Sequence, residues 1–280
     1  MVRKPAVAGY FYPENPQDLR TMIQDLFASP LGPGGWEGKI PYFEKITGVV
    51  SPHAGYLYSG AIACWSYSLV ARAQAVETFV IIGPNHRGIG QRVALSGDHA
   101  WLTPLGEVGV DQESTAFLSS EYPFFSIDSQ AHQYEHSLEV QLPFLQFFVP
   151  YQFEILPICL IEQNLNLAIS LAQALDELSR RKKIMLIASS DFSHYEPAEV
   201  AQKKDKLAIS KILSLDLKGF FAVLQEKDIS ICGPGGIAAL MGFHKLESTR
   251  FGELISYSHS GAVSGDLRQV VGYASLAFPT

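Results

Sequence analysis

A three-layer α/β/α sandwich with a mostly parallel central sheet is the fold class this sequence predicts, on three observations. Short β-branched apolar runs alternate with amphipathic stretches over most of the chain, the pattern of a sheet covered by helices. Several runs, such as Phe79-Val80-Ile81-Ile82, are continuously apolar, as strands buried on both faces are. Hydrophobic residues make up 47% of the 280 positions and charged residues only 18%, which supplies a large core and excludes intrinsic disorder.

The elements follow in order. Residues 16–27 read as a helix with Asn15 as N-cap. The breaker-rich Ser29-Pro30-Leu31-Gly32-Pro33-Gly34-Gly35 then sets off an N-terminal arm, residues 1–35, too short to be a domain. One domain over 1–280 is expected, with the arm packed on its body. Strands are expected at 46–50, 78–82, 153–160, 183–188, 253–257 and 270–278, the last two able to add antiparallel pairs. Helices are expected at 60–71, 111–119, 137–148, 164–179, 198–213, 217–227 and 235–246.

Charge and cysteine usage narrow the function. With 21 Lys+Arg against 28 Asp+Glu the formal charge is −7, which argues against a nucleic-acid partner. The three cysteines, Cys64, Cys159 and Cys232, contain no CxxC spacing, so neither a zinc knuckle nor a thioredoxin-type pair is available. Reduced thiols are expected. The segment Met1-Val2-Arg3-Lys4-Pro5 lacks the apolar run of a signal peptide, and no stretch approaches the roughly 20 apolar residues of a membrane span. A soluble, cytoplasmic protein with no membrane partner is expected.

In open α/β sheets ligands bind outside the carboxyl ends of the strands. Three segments that follow apolar runs carry histidine: Ser51-Pro52-His53 after 48–50, Gly83-Pro84-Asn85-His86 after 79–82, and Ser189-Ser190-Asp191-Phe192-Ser193-His194 after 185–188. One such histidine is usually structural, but three placed alike would meet on one rim, where imidazole can ligate a metal or transfer protons. His136 and Glu139 stand three apart at a helix start, so Glu139 is either a favourable first-turn charge or the neighbour of a rim histidine that contacts substrate. His132 is expected in a loop.

Cys232, in Ile231-Cys232-Gly233-Pro234-Gly235-Gly236, precedes a helix, where a thiolate is favoured; the alternative is a small buried residue, which Cys64 and Cys159 fit well. The same glycines could cradle a phosphate, but there is no Walker lysine and no GxGxxG after a strand, so no nucleotide cofactor is expected. His99, His244 and His259 are expected to be structural. The aromatic clusters around Phe11 and Tyr58 would line the cleft if the arm folds over it.

Taken together, Ala8-Gly9-Tyr10-Phe11-Tyr12-Pro13, Pro52-His53-Ala54-Gly55-Tyr56, Gly83-Pro84-Asn85-His86, Glu135-His136-Ser137-Leu138-Glu139, Ser190-Asp191-Phe192-Ser193-His194 and the Cys232-Gly233 turn resemble the Memo family over nearly the full length. In prokaryotes this family is called AmmeMemoRadiSam system protein B. The resemblance implies a fold like the catalytic subunit of class III extradiol dioxygenases, which are non-haem Fe(II) enzymes. It implies metal ligation by His53, His86 and Cys232, with His194 as the acid/base histidine and Asp191 beside it. Phe11, in place of the tryptophan of animal members, and Tyr58 would line the cleft. The family offers cysteine where the dioxygenases use a carboxylate, and this chain keeps the cysteine.

Fe(II) or Cu is the expected cofactor and Zn is admitted, because a His₂Cys set is soft and leaves coordination positions open. The cleft would take a small molecule or peptide, and the resemblance implies radical SAM and AMMECR-type partner proteins. Three functions are thus expected in competition. They are a metal-dependent oxidoreductase, a non-catalytic module binding a peptide or partner, and a metal-free Cys/His hydrolase, for which no GxSxG elbow exists.

Overall fold

The computed structural model describes residues 1–37 and 39–280. Its strands are β1 (Val2–Arg3), β2 (Ile46–Ser51), β3 (Thr78–Pro84), β4 (Val93–Leu95), β5 (Ala100–Thr103), β6 (Gly106–Gly109), β7 (Ser126–Ile127), β8 (Glu154–Leu160), β9 (Ile184–Ser189), β10 (His194–Glu196), β11 (Glu253–His259) and β12 (Val270–Pro279). Its helices are α1 (Pro16–Ala28), α2 (Tyr56–Arg72), α3 (Gln112–Glu121), α4 (Gln130–Gln133), α5 (Leu142–Phe148), α6 (Leu165–Ser179), α7 (Ala198–Leu213), α8 (Leu217–Glu226), α9 (Pro234–Glu247) and α10 (Gly261–Ser264).

Four parallel strands, in the order β2-β9-β3-β8, form the centre of the large sheet. Antiparallel strands extend it on both sides: β4 pairs β8, and β12 pairs β2, β11 and β10. A separate small sheet joins β1, β5 and β6. The period-2 alternation of the strands divides their side chains between two cores. Val49, Phe79, Ile81, Met185 and Ile187 meet α1, α2 and α5 on one face. Val50, Val80, Ile82, Leu186 and Ala188 meet α6, α7, α8 and α9 on the other. The three layers expected from the sequence are therefore present, with Cys64 and Cys159 fully buried in them.

The departures have local causes. Asn15 caps α1 as expected, its side chain accepting from the backbone N–H of Gln17 and Asp18. The helix expected from 60 begins instead at Tyr56. No side chain caps it; the Tyr56 N–H donates to the carbonyl of Phe11 in the arm at 2.8 Å, a distant partner that local spacing cannot show. The helix expected over 137–148 shortens to a 3₁₀ turn (Glu139–Gln141) followed by α5. The reason is that the Glu135 carboxylate takes the amides of His136 and Ser137, drawing the chain away from helical geometry. The short strands β1, β4, β5, β6, β7 and β10 were not expected; each has two to four residues, too few for a pattern. Among the described residues no helix is long and apolar enough to cross a membrane.

Phe144 of α5 stacks between Tyr56 and Tyr67 of α2, with ring centroids 4.3 and 5.2 Å away. It is 2% exposed. Phe144→Ala should lower unfolding free energy by ~3–5 kcal/mol, read from the urea midpoint at unchanged m-value.

Candidate metal centre

Register decides where the histidines go. Ser51 at the end of β2 lies opposite Ser189 at the end of β9, and Ile82 of β3 lies opposite Ala188. The three loops carrying His53, His86 and Asp191 therefore leave adjacent parallel strands at one rim. One ligand atom each from His53, His86 and Cys232 lies within 4.8 Å of the others.

Hydrogen bonding fixes the tautomer of His53 and orients the ring of His86. His53 is 2% exposed, and its Nδ1 lies 2.9 Å from Ser189 Oγ. The Ser189 hydroxyl donates its one hydrogen to the Ser137 carbonyl at 2.6 Å and accepts from Gln141 Nε2 at 2.8 Å. The remaining lone pair of Ser189 must accept from His53 Nδ1–H, which leaves His53 Nε2 as a bare lone pair. That nitrogen lies 3.1 Å from Cys232 Sγ. Burial, followed by the charges of His136, His86 and His194, holds the His53 pKa well below the usual histidine range, so it is neutral at physiological pH.

His86 follows the same logic with a carboxylate. Its Nδ1–H donates to Glu135 Oε1 at 2.9 Å and its backbone N–H to Glu135 Oε2 at 2.6 Å. Glu135 also accepts from the backbone N–H of His136 and Ser137 at 2.9 and 2.8 Å. Burial alone would raise this carboxyl, but the hydrogen bond from His86 and the neighbouring imidazoles hold it at about 2. Glu135, His86 and His136 also cluster closely. Because the Glu135 oxygens already serve four N–H donors, that cluster is the support of the first rather than a second cage.

Cys232 receives the Asp191 backbone N–H at its sulfur, 3.1 Å away. Its backbone N–H reaches the Asp191 carbonyl at 3.4 Å. Burial, with the Asp191 charge, pushes the thiol above its ordinary range. Gly233 allows the approach: a Cβ there would lie 2.6 Å from the Ser189 carbonyl oxygen. Gly235 and Gly236 likewise pack against Gln163 and Ile82, so this glycine run serves close packing at the start of α9.

Asp191 is 4% exposed and accepts the His53 backbone N–H at 2.8 Å. Burial raises its carboxyl to about 6, against the hydrogen bonds from His53 and Ala54 and the pull of His194. His194 begins β10. Its backbone N–H donates to Ser230 Oγ at 2.8 Å and its Nδ1–H to the Ser230 carbonyl at 2.8 Å, leaving Nε2 to exchange a proton. The next residue, Tyr195, has φ of 58°, a left-handed conformation costly for a bulky residue, at the point where the rim turns.

His136 joins the rim as one of the two sequence readings had it. Its ring stacks on His86 at 4.5 Å, stands edge-on to His53 at 5.4 Å and packs on Phe11 at 4.7 Å. Burial lowers its pKa to about 4 despite Glu135. Phe11 and Tyr58 together line a depression of about 310 Å³ between the arm and the start of α2, and His53, His86, His136 and Cys232 do not line it. Glu139 opens the 3₁₀ turn, a first-turn charge as one reading had it, and is fully buried against the arm. His132, expected in a loop, is fully buried in α4. His244 is buried between Thr47 Oγ1 and the Arg250 carbonyl, a structural role as expected.

Sequence reasoning passed over Glu135, Ser189 and Gln141. Glu135 sat in view next to His136, but nothing in spacing shows that its partner is His86, 49 positions earlier.

A family model described as Memo-like protein matches residues 3–277. Among curated relatives, a MEMO1 family protein of Methanopyrus kandleri is 42% identical over 280 residues, covering 99% of each chain. One from Nitrosopumilus maritimus is 42% identical over 99% of this chain and 100% of its own. One from Ignicoccus hospitalis is 43% identical over 100% of this chain and 99% of its own. Among solved structures, an uncharacterized protein, JW3007, from Escherichia coli K12 superposes with a TM-score of 0.55 at 10% identity, over 84% of this chain and all of that one, a likeness of fold. With a full-length model match and relatives above 40% identity end to end, the chain belongs to the Memo family.

Proposed function

We propose that this protein holds Fe(II) or Cu, with Zn(II) as a redox-inert occupant, on His53, His86 and Cys232, in a dioxygenase-like cleft that serves oxidoreductase chemistry. The observation that carries the reading is that both imidazoles have Nδ1 committed to Ser189 and Glu135, which leaves Nε2 for a metal in a group whose ligand atoms lie within 4.8 Å of one another. Donors of this softness suit late first-row metals. When bound, such an ion supplies Lewis acidity and open coordination positions and, as iron or copper, one-electron chemistry.

The remaining work falls to the chain. Ser189 and Glu135 hold the imidazole planes. His194, anchored through Nδ1, presents Nε2 as a base, while burial raises the Asp191 carboxyl to about 6. Phe11 packs on His136 at one side of the site, while His86 remains exposed to solvent.

A metal-free Cys232–His53 dyad has the right separation, 3.1 Å, but the wrong electrostatics. Activated thiols are lowered, whereas burial and Asp191 push this one up. The second reading, a cleft that binds a peptide or partner protein without catalysis, draws support from the exposed side chains of Tyr10, Leu57, Tyr58 and Tyr195.

Elemental analysis of anaerobically purified protein tests the main reading: wild type should carry Fe or Cu near one per chain and Cys232→Ser little. Equally negligible metal in both would refute it. Ser189→Ala and Glu135→Gln should each weaken metal affinity by about 10- to 100-fold, measured by competition with a chelator. Because the raised thiol must lose its proton to ligate while His53 is already neutral, affinity should climb by about tenfold per pH unit between roughly pH 6 and 8, a slope absent in Cys232→Ser.

A further inference from the structure

Resting on the metal reading above, we propose that Arg3, on the first strand of the chain, is a positioning residue for the centre, acting on His86 through Glu135. Arg3 is 5% exposed. Its guanidinium donates through Nε to the His132 carbonyl at 2.7 Å, through Nη2 to the Glu135 carbonyl at 2.8 Å, and through Nη1 to Glu139 Oε2 at 2.7 Å. These acceptors bracket the segment that carries Glu135 and His136. One fork thus holds the backbone of Glu135 while the carboxylate of Glu135 accepts from the ring Nδ1 and the backbone N–H of His86. From Arg3 to His86 the path is two hydrogen bonds long.

The fork is itself fixed from two sides. The parallel pairing of β1 with β5 sets Arg3 opposite Trp101, and its guanidinium lies over that indole, 4.2 Å from the ring centroid. Glu139 returns the contact to the arm, accepting from the backbone N–H of Ala6 and Val7 at 2.8 and 3.0 Å and from Tyr12 Oη at 2.7 Å. The residues so held lead into Phe11, whose carbonyl caps α2 and whose ring packs on His136. The arm is therefore part of the centre's support. The task requires arginine: its planar fork reaches three acceptors at once, which a lysine ammonium on a flexible stem does not reproduce.

Arg3→Lys keeps the charge opposite Glu139 and removes the fork. Titrated with Co(II), the wild type should show a thiolate charge-transfer band and a defined d–d envelope. The variant, folded by circular dichroism, should bind Co(II) at least about tenfold more weakly with an altered envelope. Equal affinity and an identical spectrum would overturn the inference, and a wild type that takes up no Co(II) would overturn the metal reading beneath it. Hydrogen exchange on the wild type gives a second reading, independent of how Arg3→Lys folds. By linkage, an arm that supports the site must be held by the site's occupant. Saturating Co(II) should slow exchange of the Ala6 and Val7 amides by about tenfold more than those of α6. Arm amides that respond no more than α6 would reduce Arg3 to a purely structural anchor and sink the proposal.

Discussion

Everything at the rim depends on the parallel pairing of two early strands with one from far later in the sequence. β9 sits between β2 and β3, so a loop from the C-terminal half of the chain emerges between two loops from the N-terminal half. The nearly flush ends of these strands place His53, His86 and Asp191 at one height. A slip of one residue in β9 would turn Ser189, which fixes the tautomer of His53, to the opposite face of the sheet. Hydrophobic alternation guards against that slip, because Met185 and Ile187 are matched to one core and Leu186 and Ala188 to the other.

Three buried carboxylates then tie the loops together, and their differing electrostatics follow from the donors around them. Glu135 has four N–H donors and stays ionised, with its pKa held at about 2. Asp191, fully enclosed and served mainly by the backbone amides of His53 and Ala54, is raised to about 6. Glu139 meets a buried guanidinium directly. The carboxylate that holds His86 is surrounded by donors and stays charged, while burial with fewer donors raises Asp191.

The layers, the six long strands and the rim histidines were legible in the sequence because each rests on local pattern: apolar runs, then small residues, then His. Cys232 stood apart from Cys64 and Cys159 for an equally local reason, its glycine neighbours. The irregular start of the 137–148 segment was hidden because the Glu135 side chain competes with the helix for its amides. The early start of α2 was hidden because its cap comes from Phe11. The orienting roles of Ser189, Gln141 and Glu135 are relations between strand ends, and no periodicity encodes them. Glu139 does stand in a first turn, but its burial was hidden, because the guanidinium that draws it inside comes from the chain's third residue.

The span between the ligands also has a bearing on biosynthesis. His53 and Cys232 are 179 positions apart, and β12, which closes the sheet against β2, lies beyond both. At translation rates of about 5–20 residues per second, roughly 10 to 35 s separate the appearance of the first ligand from that of the last. No nascent fragment shorter than 232 residues carries all three donors of the proposed centre. For the proposed centre, intrinsic affinity alone would follow the Irving–Williams order, so its metal would be set by what the cell supplies once all three donors are present.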